Sequence, residues 1–169
     1  MKQMLFALML CLFAFGCKEE DSPTQTAQTV TDSQLLLLAK NITGKTFYKL
    51  STDTLSKGGN SAHPGPKLRT WYNTKAAAQL TAQGIVKSSP AFADSSLIVK
   101  EIYNADGTLS LYAILFKMSS ATNKGPGDWV WAELESNGTP IISATAKGAG
   151  CASCHASAFD YTRMNDVHP

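Results

Sequence analysis

Along most of the chain, apolar and polar residues alternate in short runs separated by turn residues, the pattern of an antiparallel sheet with one or both faces covered. Residues 96–104, 110–118 and 128–135 each predict a strand. Asp106-Gly107 and Asn137-Gly138 supply hairpin turns, because both residue types tolerate positive φ. Upstream, residues 67–73 predict a further strand, and residues 74–83, with their consecutive alanines, a helix. Residues 56–66 are rich in Gly, Ser and Pro and read as a loop containing His63. Asp32 or Ser33 is placed to cap a short helix carrying Leu35 to Ala39. Within residues 97–103, period-2 alternation puts Ile98, Lys100 and Ile102 on one face and Leu97, Val99, Glu101 and Tyr103 on the other. Trp129 and Trp131 likewise point the same way, as expected of a packed aromatic face. The fold class is therefore mainly β (α+β), an antiparallel sheet with a few short helices.

Composition sharpens this. The 169 residues are 44% hydrophobic and 17% charged, enough apolar surface for one core and one domain. A formal net charge of +2 argues against a partner held by phosphate neutralisation, so no nucleic acid is expected. No internal repeat is visible.

The first 16 residues read as an export signal, with Lys2 followed by an apolar run from Met4 to Gly16 that is too short to span a bilayer. Ala14-Phe15-Gly16-Cys17 resembles a bacterial lipobox, which implies acylation of Cys17 as the mature N-terminus. Residues 17–31 then form a polar tether, and residues 32–169 the folded domain. The expected location is the cell envelope, lipid-anchored to a membrane and facing the periplasm or the cell surface.

Of four cysteines, Cys11 leaves with the signal and Cys17 carries lipid. Cys151 and Cys154 remain, too close together for a disulfide between them to constrain the fold much. With His155 they form C-x-x-C-H, the attachment signature of a c-type haem. Two intervening residues let both sulfurs reach the two vinyl groups of one porphyrin, with His155 as the proximal ligand of the iron. A thioredoxin-like site needs a helix after the motif, and 15 residues follow Cys154. A zinc site needs further ligands, for which His63 and His168 are the remaining histidines. One haem c per chain is the expectation. Met118, His63, Met164 and His168 are the candidates for a sixth ligand, and an open or water-occupied position is favoured over all four.

The order and spacing of several segments resemble the cytochrome P-460 family, which includes the β-type cytochromes c-prime. The segments are Leu68-Arg69-Thr70-Trp71-Tyr72-Asn73, Leu97-Ile98-Val99-Lys100-Glu101-Ile102-Tyr103, Gly127-Asp128-Trp129, and the late C-x-x-C-H with Asp160-Tyr161 after it. The resemblance covers about residues 68–166. It implies a homodimer and a five-coordinate haem with His155 proximal. It also implies that Lys100 matches the strand lysine that is linked to the porphyrin edge in members that oxidise hydroxylamine. Read from the strand pattern alone, Lys100 either lies at the haem or packs its stem while its ammonium reaches water.

Trp71, Tyr72 and Phe116 are candidates to cap the distal side, and Glu101 and Glu133 to handle protons there, although alternation turns Glu101 away from Lys100. The segment Ala146-Lys147-Gly148-Ala149-Gly150, next to the motif, carries no carboxylate, which counts against turnover. The expected function is redox or ligand chemistry on small nitrogen species, hydroxylamine or NO, at a His-ligated haem. The alternative is a non-catalytic gas-binding or electron-carrying cytochrome. The redox partner protein is not legible.

Overall fold

The computed structural model describes residues 27–163 apart from residues 42 and 60. The signal segment, Cys11, Cys17, Met164 and His168 lie outside the described residues. Among those described, seven strands form one antiparallel sheet: β1 (Thr46–Phe47), β2 (Leu55–Ser56), β3 (Lys67–Tyr72), β4 (Leu97–Tyr103), β5 (Leu109–Lys117), β6 (Trp129–Glu135) and β7 (Pro140–Ile142). The spatial order is β1-β3-β4-β5-β6-β7, and β2 pairs with the other end of β3, so β1 and β2 together make a broken edge strand. The expected strands appear within about a residue of their predicted ends, and the two Gly turns join β4 to β5 and β6 to β7. No described helix is long and apolar enough to cross a membrane.

The two faces of the sheet are covered differently. One face, carrying Trp71, Leu97, Val99, Ile114, Val130, Ala132 and Leu134, is closed by α1 (Asp32–Asn41), which buries Leu35 and Ala39 against it. The other carries Tyr72, Ile98, Trp129 and Trp131 and is covered by the loops and by the C-terminal segment that includes Cys151, Ala152, Phe159 and Tyr161. Every residue of β4 except Tyr103 is buried, so the central strand is covered on both sides, with Lys100 and Glu101 the buried charges of its two faces.

Three features differ from the sequence reading. α1 is capped by Thr31, one residue before Asp32: Thr31 Oγ1 accepts from the Gln34 amide at 3.2 Å, and Gln34 Oε1 accepts from the Thr31 amide at 2.8 Å. This reciprocal box satisfies two amides at once. Asp32 is used elsewhere, accepting from Ser143 Oγ and the Ala144 amide and tying α1 to the turn after β7. The polar tether gives way to docked chain before residue 31. Gln28 bridges Ala121, and Val30 is buried with its amide donating to Asn123 Oδ1 at 3.0 Å. The helix expected over residues 74–83 is a single turn, α2 (Thr74–Ala77), with Asn73 Oδ1 accepting from the Ala76 amide. There the helical preference of three alanines is overridden. The chain instead turns at Gly84 so that Leu80 bridges Val86 and packs with Phe92 against Ile98.

The cap makes a direct prediction. Thr31→Ala should lower the urea-unfolding free energy by about 1 kcal/mol, whereas a change below about 0.3 kcal/mol would place the cap elsewhere.

Candidate functional site

The C-x-x-C-H motif is delivered by a succession of tight turns after β7. Ser143 caps a turn over Ala144–Ala146, and Lys147 and Gly148 follow in the left-handed region. Gly148 is required by its neighbour, because a Cβ there would lie 2.9 Å from Trp131 Cδ1. One helical turn, α3 (Ala152–His155), comes next. Its spacing sets Cys151 and Cys154 on one side, with His155 one turn above Cys151.

The chain then reverses. Asp160 (φ 45°) and Tyr161 (φ 59°) are consecutive non-glycine residues in the left-handed region, a conformation costing on the order of 1–3 kcal/mol each. The reversal brings the Tyr161 carbonyl to 2.8 Å from His155 Nδ1. A carbonyl only accepts, so Nδ1 carries the proton of the neutral ring and Nε2 keeps a lone pair. This is the arrangement of a metal-ligating histidine oriented through its other nitrogen.

Asp160 holds the reversal. Its carboxylate accepts from Lys117 Nζ at 2.7 and 2.8 Å and from the Phe92 amide at 2.9 Å, and its carbonyl accepts from Trp129 Nε1 at 2.8 Å. The Lys117 and Asp160 side chains are only 9% and 8% exposed. Such a pair is costly to desolvate, and the extra bonds to Asp160 offset that cost. The His155 ring packs edge-on against Trp131 at 5.1 Å between centroids, which fixes its plane as well as its proton.

Facing this segment, the sheet offers a shallow floor. Cross-strand register lines up Thr70, Lys100, Ala113 and Glu133 on four neighbouring strands. Ala113 is the small member of the row. It leaves a hollow between a lysine and a glutamate two strands apart, a backbone separation of about 10 Å. Two adjoining hollows of about 50 and 210 Å³ share His63, Lys100, Glu133, Cys151, His155 and Arg163 as walls, and Cys154 lines the larger. His63 reaches in from the 57–66 loop, which is closed by the Lys57 amide on the Pro66 carbonyl, and its Nδ1 lies 2.5 Å from Glu133 Oε1.

Burial governs the electrostatics. Lys100 is 8% exposed, and its amine is pulled down to about 8 by desolvation and then by the Arg163 charge, against the opposing pull of Glu133. Burial, with Glu133 and Cys154 adding to it, pushes the Cys151 thiol up to about 11. Burial also lowers the His155 ring, assisted by Lys100, His63 and Arg163 and opposed by the bond to Tyr161, which favours the neutral, ligating form.

The structure brings together Lys100, Cys151, Cys154, His155, Glu133 and His63. Lys100 lies in the cleft floor. Glu101 is on the opposite face, as alternation expected, accepting from Arg69, Trp71 Nε1 and Tyr103. Trp71, Phe116 and Met118 belong to the helix-covered core, and Tyr72 packs in the apolar cluster beside the cleft. None of these four lines the cleft; the aromatic wall is Trp131. Trp131 is more than a packed face, a role its alternation with Val130 and Ala132 could not single out.

The residues present fit a covalently held haem. Two free thiols and a bare imidazole nitrogen border one cleft. Thr70 Oγ1 and Trp131 Nε1, both lining it, are buried without a hydrogen-bond partner in the protein. Among the described residues no group of three or more His, Cys, Asp or Glu side chains is gathered to hold a metal ion. A haem asks less of the chain: one axial nitrogen and two sulfurs.

Lys100 gives a pH test in the chain made without haem attachment. Its folded pKa lies below its unfolded one, so between about pH 8 and 10 the unfolded state binds more protons and stability from this group rises with pH. Lys100→Met should be the more stable chain at pH 7 by a few kcal/mol, with the gap to wild type closing by pH 10. A gap independent of pH would show that the amine is not desolvated.

A comparison with known protein families and with curated proteins returned no match for this chain.

Proposed function

We propose that this chain is a membrane-tethered monohaem c-type cytochrome doing redox or ligand chemistry on small nitrogen species, hydroxylamine or NO, in the cleft between the sheet and the C-terminal segment. The observation that carries the reading is the coincidence of three donors. Cys151, Cys154 and a His155 whose Nδ1 is engaged by Tyr161 all border the cleft that Lys100 floors.

Cys151 and Cys154 would hold the porphyrin through its side arms, and His155 Nε2 would bind the iron. When bound, the haem supplies a centre that takes a small ligand and changes oxidation state. The bond from Nδ1 to the Tyr161 carbonyl makes Nε2 a stronger donor. Trp131 packs edge-on against the imidazole and fixes its plane. Lys100, its amine pulled down to about 8, has an appreciable neutral fraction near pH 7–8. Neutral amine is the form able to bond to a porphyrin edge, as the cytochrome P-460 resemblance implies for this position. The same resemblance supports a homodimer, and the lipobox-like segment supports anchoring through Cys17.

Mass and spectrum test the reading. The mature chain from a host that attaches c-type haem should carry the extra mass of one haem, which Cys151→Ser or Cys154→Ser should make labile or abolish. In the reduced protein a far red-shifted main band, returned to an ordinary c-type position by Lys100→Ala, is expected if the lysine is linked. An ordinary high-spin spectrum that responds to NO, without turnover of hydroxylamine, would replace the enzymatic reading with gas binding. A low-spin spectrum that ignores added ligands would replace it with electron transfer.

A further inference from the structure

The charges of the cleft do not balance. Lys117, the other buried lysine, is matched by Asp160 at 2.7 Å, and half-buried Arg69 by Glu101 at 2.6 Å. Lys100, 8% exposed, has no carboxylate partner among the described residues. Glu133, at the far end of the same strand row, is engaged by His63, whose Nδ1 lies 2.5 Å from Glu133 Oε1. Arg163 walls the same two hollows as Lys100. It donates one N–H to the Cys154 carbonyl at 3.1 Å, which leaves further donors of its fork and its charge without a carboxylate among the described residues. The two cations act on one space, since Arg163 lowers the Lys100 amine and both lower the His155 ring. Thr70 lies directly across from Lys100 on the neighbouring strand, and its hydroxyl is buried without a partner. Buried charges are ordinarily paired, so two unmatched cations beside an unmet hydroxyl are complementary to an anion that the chain itself does not provide.

We propose that Lys100, Arg163 and Thr70 form an anion site in this cleft, and that the small nitrogen species it admits is a singly charged anion of the nitrite class. The proposal rests on the haem reading above, in the form in which Lys100 is not bonded to the porphyrin. Each residue supplies a different contact. Lys100 brings a compact point charge, Arg163 a planar fork that can hold two atoms of one oxyanion, and Thr70 a neutral O–H donor. Their burial strengthens all three, because a hydrogen bond in a low-dielectric pocket competes with little water. The charged walls of the two hollows are two cations against one carboxylate, and that carboxylate is already bonded to His63. Such an excess draws anions toward the cleft. Size restricts them: the hollows measure about 50 and 210 Å³, and one water already accounts for about 30 Å³. Neutral hydroxylamine and NO gain little from the two cations, so the site discriminates by charge.

Azide and carbon monoxide separate recognition of charge from simple access. Azide binds ferric haem as an anion, and carbon monoxide binds ferrous haem as a neutral molecule. In the full, haem-loaded chain, Arg163→Gln should weaken azide and nitrite binding by about tenfold, the scale of one lost hydrogen bond to a charged group, with carbon monoxide affinity held within about twofold. Lys100→Met should act the same way, and Arg163→Lys, which keeps the charge, should retain most of the azide affinity. Absorbance titration of the haem band reads all of these. Azide affinity unchanged in both Arg163→Gln and Lys100→Met overturns the proposal. So does an equal loss for azide and carbon monoxide, which would make the residues part of the entrance or of the fold. A red-shifted band that marks a linked Lys100 overturns it too. If azide ignores the variants in the loaded chain while nitrite stabilises the haem-free full chain, the cations serve the carboxylates of the porphyrin and the proposal falls. A chain that mass analysis finds free of haem removes the cytochrome reading and leaves the anion site open to its own test. Nitrite should then raise the melting temperature of the wild-type chain more than that of Arg163→Gln, and equal shifts would overturn the site as well.

Discussion

The bond between His155 Nδ1 and the Tyr161 carbonyl decides what the C-terminal segment can do. A histidine next to two cysteines has no preferred orientation of its own, and a ring free to rotate would present either nitrogen, protonated or bare. The carbonyl removes that freedom, and it sits where it does only because Asp160 and Tyr161 accept an unfavourable backbone conformation. That conformation is held from three directions, by Lys117 from β5, by the Phe92 amide from the connection before β4, and by Trp129 from β6. Orientation of one imidazole is thus traced to strands far away in sequence. Removing one charge of a buried pair such as Lys117–Asp160 typically costs about 3–5 kcal/mol, so orientation of the ring and stability of the domain are coupled.

The sheet contributes by a difference in side-chain size. Rows of large residues to either side of Ala113 fill the space over the strands, with Ile98, Leu115 and Trp131 on one side and Ile102 and Leu111 on the other. The alanine opens a hollow whose two ends are cationic and anionic, and the C-terminal segment roofs it with sulfur and imidazole. Burial then gives each group its character: it favours a neutral His155, pulls the Lys100 amine down to about 8, and keeps Cys151 as a thiol.

Much of this was legible in the chain. Period-2 alternation located β3 through β6, and it placed Lys100 and Glu101 on opposite faces, because a strand buried on one face leaves no freedom to slip by one residue. The C-x-x-C-H motif marked its own segment. Other features were hidden for physical reasons. Strands β1, β2 and β7, of two or three residues each, are too short to show a period. The docking of Val30 depends on Asn123, whose relevance to it only the fold creates. His63 and Glu133 lie 70 residues apart and meet through a loop conformation that local sequence does not encode. The Tyr161 carbonyl is a backbone atom, so residue identity says nothing of it, although Asp160-Tyr161 did stand among the segments that drew notice.

The central claim, that His155 is held with Nδ1 protonated and Nε2 bare before any haem is attached, can be read from the imidazole itself. Nitrogen-15 NMR of the histidine rings in the haem-free full chain, at a pH where the ring is neutral, distinguishes the two tautomers. The account predicts that His155 is the Nδ1–H tautomer, with Nε2 at the shift of an unprotonated nitrogen. A ring found protonated at Nε2, or averaging between the two tautomers, would contradict it.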